Sequence, residues 1–173
     1  MKKKVFKLSI VFILVTCMII LLKILPTIKL GYKMYQTAIN ENSIEQVVEE
    51  LRLKEDYIKL DDISDEYITL LLQSEDKRFY HHFGFDPIAM TRAMCNNIKL
   101  GYFAQGGSTI TQQLAKNLYF SFDKKMERKV AELFVAFELE RLLTKDEILE
   151  LYCNVAYFGE GCYGIKEASK HYY

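Results

Sequence analysis

Residues 73–120 read QSEDKRFYHHFGFDPIAMTRAMCNNIKLGYFAQGGSTITQQLAKNLYF, and this stretch concentrates the unusual chemistry of the chain. The acid pair Glu75-Asp76 is followed by Lys77, Arg78, Phe79 and the two histidines His81 and His82. Further on, Gly106-Gly107 precedes the hydroxyl and amide block Ser108 to Gln113, and Lys116 follows it. Core segments do not carry so many polar side chains, and the stretch reads as the floor of a site for a polar, anionic, hydroxyl-rich substrate. Asp86-Pro87 is a helix start: Asp caps, and Pro at the first helical position gives up no needed donor. The spacing predicts a helix to about Ile98, a glycine-bearing loop over 100–107, and a second helix opened by Ser108 or Thr109 and reaching about Tyr119. Thr109, Gln112 and Lys116 are three and four apart and share a helix face.

Working outward, Ser64 is a helix cap with Asp65 and Glu66 in the favourable first turn. That helix runs through Ile68, Leu71 and Leu72 to about Ser74. Glu75 falls near its C-terminal end, where the macrodipole disfavours an anion. Upstream, 43–53 is a short helix with Ile44, Val47, Val48 and Leu51 on one face. Residues 57–60 alternate in a way that suggests a brief strand. Downstream, 124–143 is a long helix with a buried stripe of Val130, Leu133, Phe134 and Phe137. Arg128 and Glu132 pair at i,i+4 along it. Thr144 to Glu147 is a capping box. It opens a helix that presents Ile148, Leu149 and Tyr152. A glycine-rich loop over 154–164 leads to a last helix near Ile165. The fold class is mainly α.

Lys and Arg total 23 and Asp and Glu total 23, so no global field points to nucleic acid. Cys17, Cys95, Cys153 and Cys162 form no CxxC and read as small apolar side chains. Met1 to Lys4 is basic, and residues 8–22 carry no charge. With Lys7 and Lys23 snorkelling, 5–25 is long enough to cross a bilayer, which takes roughly 20 residues. No small-residue cleavage site follows, so the segment reads as an uncleaved anchor. The positive-inside rule keeps the N-terminus in the cytoplasm. The resulting division is an anchor over 1–25, a juxtamembrane stalk over 26–56 and a catalytic domain over 57–173.

Two carboxylates, Glu75 and Glu132, stand beside the cations Arg92, Lys116, Lys124, Arg128 and Lys129. Such a set suits group transfer from a phosphate ester. The cations neutralise the leaving phosphate, and a carboxylate takes a proton from an attacking hydroxyl.

With these residues assembled, the chain resembles the peptidoglycan glycosyltransferases of glycosyltransferase family 51, the monofunctional transglycosylases and the matching domain of class A penicillin-binding proteins. The resemblance rests on five blocks: residues 75–84, residues 107–117, Arg128 to Glu132, KDEILELYCN over 145–154, and Gly161 to Gly164 with Ala168 and Tyr172. It implies a lysozyme-like helical fold and lipid II, a lipid-linked disaccharide pentapeptide, as substrate. By the same resemblance Glu75 is the general base. Lys116, Lys124, Arg128 and Lys129 hold the pyrophosphate. Glu132 orients those cations or a divalent metal, Mg or Mn. Asp76, Phe79, His82, Arg92, Ser108, Thr109, Gln112 and Gln113 shape the cleft. The implied partners are the nascent glycan strand, the bacterial cytoplasmic membrane and cell-wall synthesis proteins. Lys124 departs from the family's usual Arg, which costs the bidentate phosphate contact. The family continues past the fifth block, so the C-terminal end of the domain is expected to be missing here. The rival expectations are a lysozyme-like lytic enzyme and a non-catalytic lipid II-binding fragment.

Overall fold

The computed structural model describes residues 2–120 and 125–173, and side chains within the first helix from residue 12 onward except at 13 and 17. Among these residues eight α-helices follow in order: α1 Lys2–Glu41, α2 Ile44–Arg52, α3 Asp65–Glu75, α4 Pro87–Leu100, α5 Ile110–Tyr119, α6 Met126–Leu142, α7 Lys145–Val155 and α8 Ile165–Tyr172. Among the described residues there is no β-strand, only an isolated antiparallel bridge between Tyr157 and Tyr163.

Local capping sets most boundaries. Ser43, Thr109 and Thr144 each close a capping box, with Gln46, Gln112 and Glu147 as the reciprocal side chains. Asp86 caps α4, its Oδ1 accepting from the amides of Ile88 and Ala89 at 2.9 and 3.1 Å. Ser64 precedes α3 as expected, but its hydroxyl makes no capping bond.

The expected strand over 57–60 does not form. The backbone there is claimed by side chains of α7. Asn154 Oδ1 accepts from the Ile58 amide and Asn154 Nδ2 donates to the Ile58 carbonyl, both at 2.8 Å. Glu150 Oε2 accepts from the Leu60 amide at 2.8 Å. With those groups satisfied the segment needs no partner strand, and it turns into a 3₁₀ turn at Leu60–Asp62.

α5 packs between α6 and α7 and forms the centre of the domain. Ile110, Leu114 and Ala115 are fully buried there, in one cluster with Val135, Ala136 and Leu139 of α6 and Ile148, Leu149 and Leu151 of α7. Ile44, Val48 and Leu51 of α2 join the same cluster, so residues 44–52 contribute directly to the core.

The expected stripe of α6 is rotated. Its fully buried face carries Ala131, Glu132, Val135, Ala136 and Leu139, while Val130, Leu133 and Phe134 are half-buried and Phe137 is exposed. Small residues let α5 approach closely, and the larger apolar side chains are turned elsewhere. Phe134 meets the rings of Tyr32 and Tyr35 of α1, with centroids 5.1 and 5.6 Å away.

α1 continues through Pro26 without a break, although the sequence suggested an anchor ending at 25. Proline inside a helix costs roughly 3 kcal/mol. Packing of the later turns of α1 along α6 offsets that cost. The contact is closest at Gly31: a Cβ there would lie 2.5 Å from Val130 Cβ and 2.6 Å from the Glu127 carbonyl oxygen.

Candidate active site

α3 delivers Glu75 as its last residue, exposed at the edge of a cleft of about 680 Å³. The cleft is also lined by Asp76, Arg92, Ser108, Thr109, Gln113, Lys116 and Lys129. Glu75 is held from α5: Gln113 Nε2 donates to Glu75 Oε2 at 2.8 Å.

The next residue turns inward. The Asp76 carboxylate is buried between the His82 ring and the start of α5. Its Oδ2 lies 2.9 Å from His82 Nε2 and accepts from the Ile110 amide at 3.0 Å. An anion at a helix N-terminus is favourably placed. This pairing therefore ties the end of α3 to the beginning of α5. Phe79 is buried beneath, packed edge-on to His82, with the Lys145 ammonium 4.4 Å over its ring. Thr109 and Gln112 bond each other in the capping box, both buried. Phe79, His82 and Gln112 thus support the cleft from below, while Ser108, Gln113, Lys116 and Arg92 face it.

Glu132 has no exposed surface. Its Oε1 accepts from Arg128, and its Oε2 accepts from the Lys129 ammonium at 2.7 Å. The pair at i,i+4 is therefore not a surface salt bridge: a buried carboxylate holds both cations, and of the two Lys129 lines the cleft. Lys116 faces the same group from α5. Burial, against the pull of Glu132, holds its ammonium below the ordinary lysine range, with Lys129 and Arg128 pushing the same way as burial. Lys124 lies outside the described residues. Among the described residues no three His, Cys, Asp or Glu side chains converge as metal ligands. Both oxygens of Glu132 are engaged by cations, so the donor set around it does not fit a divalent ion.

Beside the polar cleft lies an apolar cavity of about 810 Å³. Met90, Met94 and Ile98 of α4, Phe103, and Val130 and Leu133 of α6 line it. The two share Gln105, Gly107, Ser108 and Lys129 as a common wall.

Two positions that the sequence did not single out hold this arrangement. Asn97 pins the loop after α4: its Oδ1 accepts from the amides of Ala104 and Gln105, and its Nδ2 donates to the Gln105 carbonyl, all at 2.9 Å. Glu140, buried on α6, accepts from the Gly84 amide at 2.9 Å, from Thr111 Oγ1 at 2.6 Å and from Lys145 Nζ at 2.7 Å. Asn97 closes a local loop seven and eight residues on, Glu140 joins segments far apart in sequence, and neither sits in a recognisable local pattern.

Fold and site together define a helical domain with a carboxylate-edged, cation-lined cleft opening onto an apolar groove, carried on a long apolar helix. The chain belongs to the transglycosylase family, whose model matches residues 40–173. It is 44% identical over 117 residues to penicillin-binding protein 1A of Aquifex aeolicus, covering 68% of this chain and 16% of that protein. It is 47% identical over 116 residues to penicillin-binding protein 1A of Vibrio cholerae, covering 67% and 14%. With penicillin-binding protein 1A/1B of Bacillus subtilis the identity is 40% over 139 residues, covering 80% and 15%. The chain therefore corresponds to a small part of the length of these relatives.

Proposed function

We propose that this protein is a peptidoglycan glycosyltransferase that polymerises lipid II into glycan strands. The observation that carries the reading is the shared wall between the cation-lined cleft and the apolar cavity, at Gln105, Gly107, Ser108 and Lys129. An amphiphile whose pyrophosphate meets Lys129 and Lys116 can lay the first part of its lipid chain along Met90, Met94 and Val130. Few substrates combine an anionic diphosphate, a hydroxyl-rich sugar and a long apolar tail.

In this reading Glu75 takes the proton from the sugar 4-hydroxyl of the acceptor lipid II. The freed oxygen bonds to the anomeric carbon of the donor chain. The bond from that carbon to the undecaprenyl pyrophosphate breaks, and its electron pair leaves with the phosphate. Attack opposite the leaving group inverts the anomeric centre, and no carboxylate is needed as a nucleophile. Lys116, Arg128 and Lys129 stabilise the charge that develops on the leaving group. Arg92 and Ser108 line the sugar side of the cleft.

Residues 14–41 form a helix long and apolar enough to cross a membrane. The reading makes the first part of α1 a single-pass anchor in the bacterial cytoplasmic membrane, with the basic stretch 1–4 inside. The cleft then works on the outer face, at the bilayer surface, with the growing glycan strand and other cell-wall synthesis proteins as partners. The deciding experiment supplies lipid II in vesicles to the full chain and to Glu75→Gln. Polymer from the intact chain and a loss of at least a hundredfold in the variant are expected. Cleavage of preformed glycan without polymer formation would sink the reading in favour of a lytic enzyme.

A further inference from the structure

The sequence placed Tyr152 only as an apolar contact of α7, yet the structure gives its hydroxyl a polar task. Tyr152 is buried, 6% exposed, beneath the cleft floor. Its Oη donates to Gln113 Oε1 at 3.2 Å. The other end of the same amide, Gln113 Nε2, donates to Glu75 Oε2 at 2.8 Å. One glutamine thus links a buried phenol on α7 to the exposed carboxylate at the end of α3. We propose that Tyr152 is a positioning residue for the transfer reaction: it fixes the Gln113 amide so that its NH₂ end holds the Glu75 carboxylate in place. This rests on the reading of Glu75 as the general base.

A glutamine amide can present either its oxygen or its nitrogen to a neighbour. Presenting the oxygen to Glu75 would set two acceptors face to face. The Glu75 carboxylate only accepts and so takes the NH₂ end; the Tyr152 phenol, donating to the oxygen at the other end, satisfies it and holds the amide in that orientation. Burial, with the Glu75 charge next, pushes the Tyr152 hydroxyl well above its ordinary range, so it keeps its proton throughout the working pH range. The orientation then propagates. Gln113 engages Oε2 of Glu75 and leaves Oε1 to receive the acceptor's proton. Glu75 is an exposed side chain at a helix end, with many rotamers open to it. A general base must sit within hydrogen-bond reach of the proton it takes, and small misplacements are costly.

The test is a double-mutant cycle on the full chain in lipid II vesicles, with Tyr152→Phe, Gln113→Ala and the pair. Tyr152→Phe removes one oxygen and keeps the ring that fills the core. It is expected to lower kcat by roughly tenfold while KM stays within about twofold. In the Gln113→Ala background the same change is expected to have no further effect, because the link is already cut. Additive losses, or a Tyr152→Phe enzyme with unchanged kcat, would overturn the proposal. A second measurement reads the link without turnover. The side-chain amide protons of Gln113, followed by ¹⁵N NMR, are expected to exchange slowly with water in the intact chain and at least tenfold faster in Tyr152→Phe. Unchanged exchange overturns the proposal even if the intact chain makes no polymer, and absence of polymer by itself counts against the function in the preceding subsection.

Discussion

The Lys129 ammonium lies 2.7 Å from Oε2 of Glu132, a carboxylate with no exposed surface, while the lysine side chain itself is 43% exposed. One partner is anchored in the core and the other reaches the cleft, so the buried charge serves as a fixed mount for a partly exposed cation. Arg128 shares the same mount through Oε1. Glu132→Gln is expected to lower the unfolding free energy by about 3 kcal/mol, the cost of breaking a buried pair from one side. It is also expected to raise KM for lipid II, since Arg128 and Lys129 then repel each other without a common anion. Urea unfolding and steady-state kinetics check the two halves separately.

Lys116 yields a pH signature. Its ammonium sits below the ordinary lysine range, chiefly through burial. A lysine so shifted loses its positive charge at a lower pH than an exposed lysine would. Pyrophosphate binding is therefore expected to weaken on the alkaline side earlier than for an ordinary lysine. Lys116→Arg, which stays charged, is expected to move the alkaline limb of kcat/KM to higher pH. A profile whose alkaline limb is the same in both proteins would show that Lys116 does not control it.

Asn97 makes three hydrogen bonds to the loop after α4. Each is worth about 0.5–1.5 kcal/mol net. Asn97→Ala is expected to leave the global unfolding midpoint nearly unchanged and to make residues 101–107 at least tenfold more sensitive to limited proteolysis. Cleavage elsewhere at wild-type rates is the internal control.

At Gly31 a methyl group would need to occupy the space of Val130 Cβ and the Glu127 carbonyl. Gly31→Val is expected to destabilise the packing of α1 on α6 by about 1–3 kcal/mol, the usual cost of overpacking. Hydrogen exchange in the first turns of α6 should rise, while exchange in α7 stays as it was.

Much of this arrangement was legible because it is locally encoded. Asp86-Pro87, Thr109 and Thr144 specify the starts of α4, α5 and α7 through bonds spanning two or three residues. The position of Glu75 at a helix end followed from the same arithmetic. The buried face of α6 was not legible. Its apolar period admits two faces, and the choice depends on which neighbour each meets: α5 takes the alanines and Glu132, and α1 takes Phe134. The strand expected over 57–60 failed for a related reason, since Asn154, 96 residues away from Ile58, supplies the bonds that a neighbouring strand would have. The Tyr152–Gln113–Glu75 chain was invisible because its members come from three helices, although Glu75 and Gln113 were each singled out alone.

The Gly31 contact bears on how the protein answers its surroundings. A spanning helix meets a thicker or thinner bilayer by changing its tilt. α1 is a single helix from Lys2 to Glu41, and its later turns are packed without a gap on α6. If the first part spans the bilayer as proposed, α1 acts as a lever. Tilt imposed by the lipid is passed to the helix that carries Arg128, Lys129 and Glu132. Turnover should then follow acyl-chain length in vesicles of graded thickness, and Gly31→Val should blunt that dependence.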